Sequence, residues 1–70
     1  MTHYSQQILK DLSVSQSTAD SIAGRIGITD QRCEALLREL KAEGYVTVHP
    51  LEIDGKDSLA VYRLTEKSRA

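Results

Sequence analysis

The sequence predicts an α+β domain in which three helices precede a two-stranded β-hairpin. Two apolar stripes carry most of that prediction. Ala19, Ile22, Ala23 and Ile26 recur at i, i+3, i+4, i+7, and Cys33, Leu36, Leu37 and Leu40 repeat the same spacing, so each set lines one face of a helix. A glycine follows each stripe. Beyond the second, Gly44, the pattern switches to the alternation of half-buried strands, first at Tyr45 to His49 and again at Leu59 to Leu64.

Each element can be justified in chain order. Residues 3–13 place Tyr4, Ile8, Leu9 and Leu12 at helical spacing, which suggests a first helix packed across the other two. The polar segment S-V-S-Q-S follows as a loop, with Val14 expected to tuck against the core. Thr18 is positioned to cap a second helix over about 18–26, and Gly27 can turn left-handed after it. Thr29 likewise caps a third helix, about 30–43, and Gly44 is placed to end it. Two capped helices joined by one sharp turn are the outline of a helix-turn-helix. The strands are read as 45–49 and 59–64, with Pro50 interrupting or edging the first and Asp54-Gly55 in the turn between them. Residues 1–70 thus form one domain, with Ile22, Ile26, Leu36, Leu37, Leu40 and Tyr62 as expected core.

Composition narrows the function. A chain of 70 residues buries only roughly 60% of the surface that its unfolded form exposes, which leaves little room for a catalytic cavity. Nothing in it orders a catalytic constellation, and no enzyme is expected. The single cysteine, Cys33, excludes an internal disulfide and a multi-cysteine metal site; on its apolar stripe it reads as a small inert hydrophobe. His3 and His49 stand far apart without acidic or thiol companions at ligand spacing, so no metal and no cofactor are expected. Gly24 and Gly27 lack the preceding strand and the spacing of a phosphate loop. The polar start M-T-H-Y-S-Q-Q has no signal-peptide core and no apolar run reaches the ~20 residues of a membrane span. A cytoplasmic protein without membrane partners is the expectation.

The order T-A-x-x-I-A-x-R-I-G-I, then R-C-E-A-L-L-R-E-L-K-A-E-G-Y-V, then a hairpin closing on Y-R-L-T-E-K-S resembles the winged helix-turn-helix superfamily of small bacterial or phage DNA-binding regulators. Its flavour is MarR-like or PadR-like. The resemblance runs from Thr18 to about Ser68, and only Arg69 and Ala70 follow the closing motif, where those families continue into long dimerisation helices. It implies a three-helix bundle with a two-stranded wing, double-stranded DNA as partner, and transcription regulation as the role.

Opposite the stripe of the third helix, at 100° per residue, lie Gln31, Ala35, Arg38 and Ala42, flanked by Arg32, Glu34, Glu39 and Lys41. In a major groove, Gln31 would pair with adenine and Arg32 or Arg38 with guanine, while Ala35 permits close approach or meets a thymine methyl. Thr18 and Thr29, at helix starts, together with Arg25, Lys41 and Lys56, are the candidates for phosphate and positioning contacts.

Charge argues for a second reading. Lys and Arg number 9 against 10 Asp and Glu, a formal net charge of -1, so no global field draws in a polyanion. Asp30, Glu34, Glu39 and Glu43 outnumber the basic residues of the third helix, Glu34 and Arg38 are spaced to pair with each other, and Glu52, Asp54 and Asp57 surround the lone Lys56 of the wing. Such a module binds DNA weakly by itself, which favours a homodimer or a larger protein complex. The alternative is a winged helix that docks on another protein through the Ala35 and Ala42 face or its acidic wing, with no direct DNA contact.

Overall fold

The computed structural model describes residues 3–52 and 58–69. Its elements are α1 (His3–Val14), β1 (Ser17–Thr18), α2 (Ala19–Ile26), α3 (Asp30–Ala42), β2 (Val46–Glu52), β3 (Ser58–Leu64) and α4 (Glu66–Arg69). This is the winged helix-turn-helix architecture: a three-helix bundle whose chain returns as an antiparallel hairpin. Two elements were not expected from the sequence. The two-residue β1 makes a third strand, giving the order β1-β3-β2, and the chain turns once more as the short α4.

The helices exist because their apolar stripes meet. Ile8 and Leu12 from α1, Ile22 and Ala23 from α2, and Cys33, Leu36, Leu37 and Leu40 from α3 close one core, which Val46 of β2 completes. Ile26 and Tyr62, expected in that core, are half-buried and pack against its edge. Val14 departs entirely from expectation. It is the last residue of α1 and 85% exposed, because the helix continues past 13 and two residues beyond buried Leu12 is a rotation of about 200°, toward the far side.

Both glycines take the left-handed conformation, φ 79° at Gly27 and 84° at Gly44. At the end of α3 this allows the Gly44 N–H to reach the Lys41 carbonyl at 3.0 Å and the Tyr45 N–H to reach that of Leu40 at 2.9 Å. These are the two bonds of a Schellman stop, and they satisfy carbonyls that the helix itself cannot. The end of α2 is tighter, with the N–H groups of Gly27 and Ile28 both on the Ala23 carbonyl.

The hairpin pairs Val46 with Leu64 through to Glu52 with Ser58. Pro50 does not interrupt β2; it stands opposite Ala60, and β2 is an outer strand of the sheet, where a residue without an N–H is tolerated. The Asp54-Gly55 turn and Lys56 lie outside the described residues. On the other side of β3, Ser17 pairs with Tyr62 and Thr18 with Val61, which fastens the entry of α2 to the sheet.

A C-terminal clasp locks the end of α3 to the sheet. The Thr65 N–H and the Ser68 hydroxyl both donate to the Tyr45 carbonyl, and the Thr65 hydroxyl donates to that of Gly44 at 2.6 Å. Lys67 Nζ donates to the Glu43 carbonyl at 2.6 Å while lying 4.4 Å from the Tyr45 ring centroid, a cation placed at the negative end of a helix dipole.

Candidate nucleic-acid interface

The candidate interface is built on α3, whose buried stripe leaves its opposite side to solvent. Gln31, Ala35, Arg38 and Ala42 are all exposed, as are the flanking Arg32, Glu34, Glu39 and Lys41. Burial of Cys33, Leu36, Leu37 and Leu40 sets the helix rotation and therefore decides which residues face outward. The N-terminal end is held by Thr29, whose hydroxyl accepts the Arg32 N–H at 3.1 Å.

Thr18 behaves differently from Thr29. It stands at the N-cap position of α2 with extended backbone, but its side chain makes no capping bond. Its hydroxyl instead donates to the Asp20 carboxylate at 2.7 Å and lies 3.0 Å from the Ser21 hydroxyl. That hydrogen bond stabilises the ionised carboxylate and holds Asp20 below the usual carboxylate range.

The cations separate into three kinds. Arg25 is turned toward α1 and β1: its Nε donates to one oxygen of Asp11 at 2.8 Å, its Nη2 to the other at 2.7 Å, and Nη2 also reaches Ser17 Oγ at 2.5 Å. The Asp11 carboxylate raises the pKa of that guanidinium and ties it to the scaffold. Arg32 lies with its guanidinium carbon 5.3 Å from the Tyr4 ring centroid. Arg38 and Lys41 are exposed, and the Glu34–Arg38 pair that the spacing allows does not form; among the described residues the ion pair is Arg25 with Asp11. Sequence reading did not single out Arg63 on β3 or Lys10 on α1, both exposed. Nothing in their local pattern marks them, since only the tertiary fold sets their surroundings.

Acidic groups stand close to the presented helix. A groove of roughly 330 Å³ runs between the starts of α2 and α3 and the strand β3, with Asp20, Asp30 and Glu34 around Leu59 and Tyr62. Leu59 is 44% exposed there. Cys33 is fully buried and burial pushes its thiol up to about 11, so it stays protonated and inert at neutral pH. No group of His, Cys, Asp and Glu among the described residues is arranged to hold a metal ion, and no helix there is long and apolar enough to cross a membrane.

Fold and presented helix together define a winged helix-turn-helix module. Solved structures with the same fold include the adhesin competence repressor AdcR of Streptococcus pyogenes, 19% identical with a TM-score of 0.90 over 99% of this chain and 50% of that one. ZitR of Lactococcus lactis, a zinc-responsive MarR family member, is 23% identical with a TM-score of 0.88 over 99% of this chain and 46% of that one. PadR of Bacillus subtilis, in complex with operator DNA, is 18% identical with a TM-score of 0.87 over 99% of this chain and 44% of that one. The chain thus spans about half the length of these structures. No protein-family model and no curated protein matches the sequence.

Proposed function

We propose that this chain is a DNA-binding module of a cytoplasmic transcription regulator, reading the major groove with the helix from Asp30 to Glu43. One observation carries the reading: α3 is capped, locked at both ends, and presents Gln31, Ala35 and Arg38 to solvent, with no carboxylate paired to Arg38 among the described residues. The small Ala35 between two long polar side chains leaves room for close approach to base edges. The shared fold with PadR, seen on operator DNA, supports the same partner. Gln31, Arg32, Ala35 and Arg38 are the proposed base-reading set, and Thr18, Arg25, Thr29, Lys41 and Lys56 the positioning set. With a net charge of -1, useful affinity calls for a homodimer or a larger complex.

The test is titration of the isotope-labelled protein with generic duplex DNA at low and moderate salt. Salt-sensitive amide shifts clustered on Thr29 to Arg38 are the expected result. Absence of any shift at low salt overturns the reading.

A second reading has its own observation. Asp20, Asp30 and Glu34 around the exposed Leu59 suit a basic, partly apolar protein segment better than a phosphate backbone. If duplex DNA shifts nothing, docking of a protein partner on this face becomes the leading function.

A further inference from the structure

Arg32 differs from the other cations of α3 in being held from two directions. Its backbone N–H is fixed by the Thr29 hydroxyl at 3.1 Å. Its guanidinium lies 5.3 Å from the centroid of the Tyr4 ring, on a different helix. That ring is itself supported. It is half-buried against the core, and the His3 ring stands 5.7 Å from it at 59°, with the His3 Nε2 2.9 Å from the Gln7 amide. A guanidinium over an aromatic face keeps its N–H edge free while losing much of its rotational freedom. Arg32 remains exposed and has no carboxylate partner among the described residues.

The direction of this hold matters. Arg32 stands about 100° around α3 from Gln31, to one side of the row formed by Gln31, Ala35 and Arg38, and its guanidinium lies near Tyr4 at the start of α1. We infer that Arg32 is a phosphate clamp rather than a base reader, and that Tyr4 is the positioning residue that sets it. The inference rests on the DNA-binding reading and moves Arg32 out of its base-reading set and into its positioning set: Arg38 and Gln31 are left to read bases, while Arg32 fixes the height of α3 on the backbone. A phosphate contact contributes to every sequence alike, whereas a base contact contributes only at the correct site.

Generic duplex DNA separates the two roles. Binding of a random-sequence 20-base-pair duplex is measured across a salt series for the full chain, Arg32→Ala, Arg38→Ala, Tyr4→Phe and Tyr4→Leu, with thermal melts to verify folding. The magnitude of the slope of log affinity against log salt falls by about 0.9 for each phosphate that the protein no longer neutralises, so Arg32→Ala should lower it by that amount and Arg38→Ala, a side chain free to move between groove and backbone, by less. Tyr4→Leu should weaken binding by roughly two- to fivefold, as removal of an exposed cation–π pair implies, and Tyr4→Phe should retain it. An independent readout needs no DNA: ring-current displacement of the Arg32 side-chain protons should be present in the parent and Tyr4→Phe and absent in Tyr4→Leu. An unchanged salt slope in Arg32→Ala, or no ring-current displacement in the parent, overturns the inference while DNA binding stands. Failure of the parent itself to bind at low salt overturns the DNA reading and this inference with it.

Discussion

Arg25 and Asp11 form a two-pronged ion pair that joins α2 to α1, with Ser17 of β1 as a third partner. The arrangement places one of the few cations of the chain in a structural contact. Arg25 is 48% exposed and Asp11 18%, so the pair works through geometry more than through a strong field. A phosphate reaching Arg25 would have to share it with that carboxylate.

A double-mutant cycle tests the consequence. Arg25→Gln and Asp11→Asn should each lower the melting midpoint slightly, the double variant should lose less than the sum, and the coupling should shrink in high salt. If Arg25→Gln also lowers the salt slope of DNA binding, Arg25 contacts phosphate as well.

The two threonines at helix starts should respond differently to the same change. Thr29→Ala removes a hydrogen bond to a backbone N–H that α3 cannot otherwise satisfy and should cost about 1 kcal/mol. Thr18→Ala removes no such bond and should cost less in chemical denaturation. Equal losses would mean that the Thr18 hydroxyl contributes through Asp20 as much as a cap does.

Core and surface positions can be contrasted in the same assay. Leu37 is fully buried, and Leu37→Ala should cost roughly 2–5 kcal/mol, a large part of the total stability of a chain this short. Val14→Gln should change stability by no more than about 0.5 kcal/mol, since the side chain is exposed. A large loss from Val14→Gln would mean that this residue is covered in solution, as by a partner.

Cys33 supplies a pH prediction with a definite sign. Burial raises its pKa from 9.0 to about 11, so the neutral thiol is favoured by folding. Its contribution to stability is complete below pH 9 and is lost as pH rises toward and through 11. Denaturant midpoints should therefore fall over that window in the parent and fall less in Cys33→Ala. At about pH 8, below the ordinary thiol range, the single thiol should react with a thiol reagent only as fast as the chain opens, and rapid reaction of the folded protein would contradict its burial.

The stripes of α2 and α3 were legible in the sequence because a helix repeats every 3.6 residues and burial needs one continuous face. Cys33, Leu36, Leu37 and Leu40 are all buried, and the outward position of Gln31, Ala35 and Arg38 follows from them by rotation alone. Gly27 and Gly44 were legible for a similar reason, since only a residue without a Cβ turns left-handed at low cost. Local chemistry determined these parts: the bodies of α1, α2 and α3, the stops of α2 and α3, the outward face of α3 and the alternating strands β2 and β3.

What remained depends on contacts between residues distant in the chain. Ser17–Thr18 is too short to show an alternating pattern and becomes a strand only because β3 lies beside it. Val14 reads as an apolar residue seeking a core, but the phase of α1 turns it outward. Arg25 and Arg32 look equally free in sequence, yet one is held by Asp11 and the other by Tyr4, 14 and 28 positions away. Periodicity along one chain segment can identify the face that a helix offers. Which of its charges are free to act was decided by tertiary packing, because an electrostatic partner is chosen by distance in space and not by spacing in sequence.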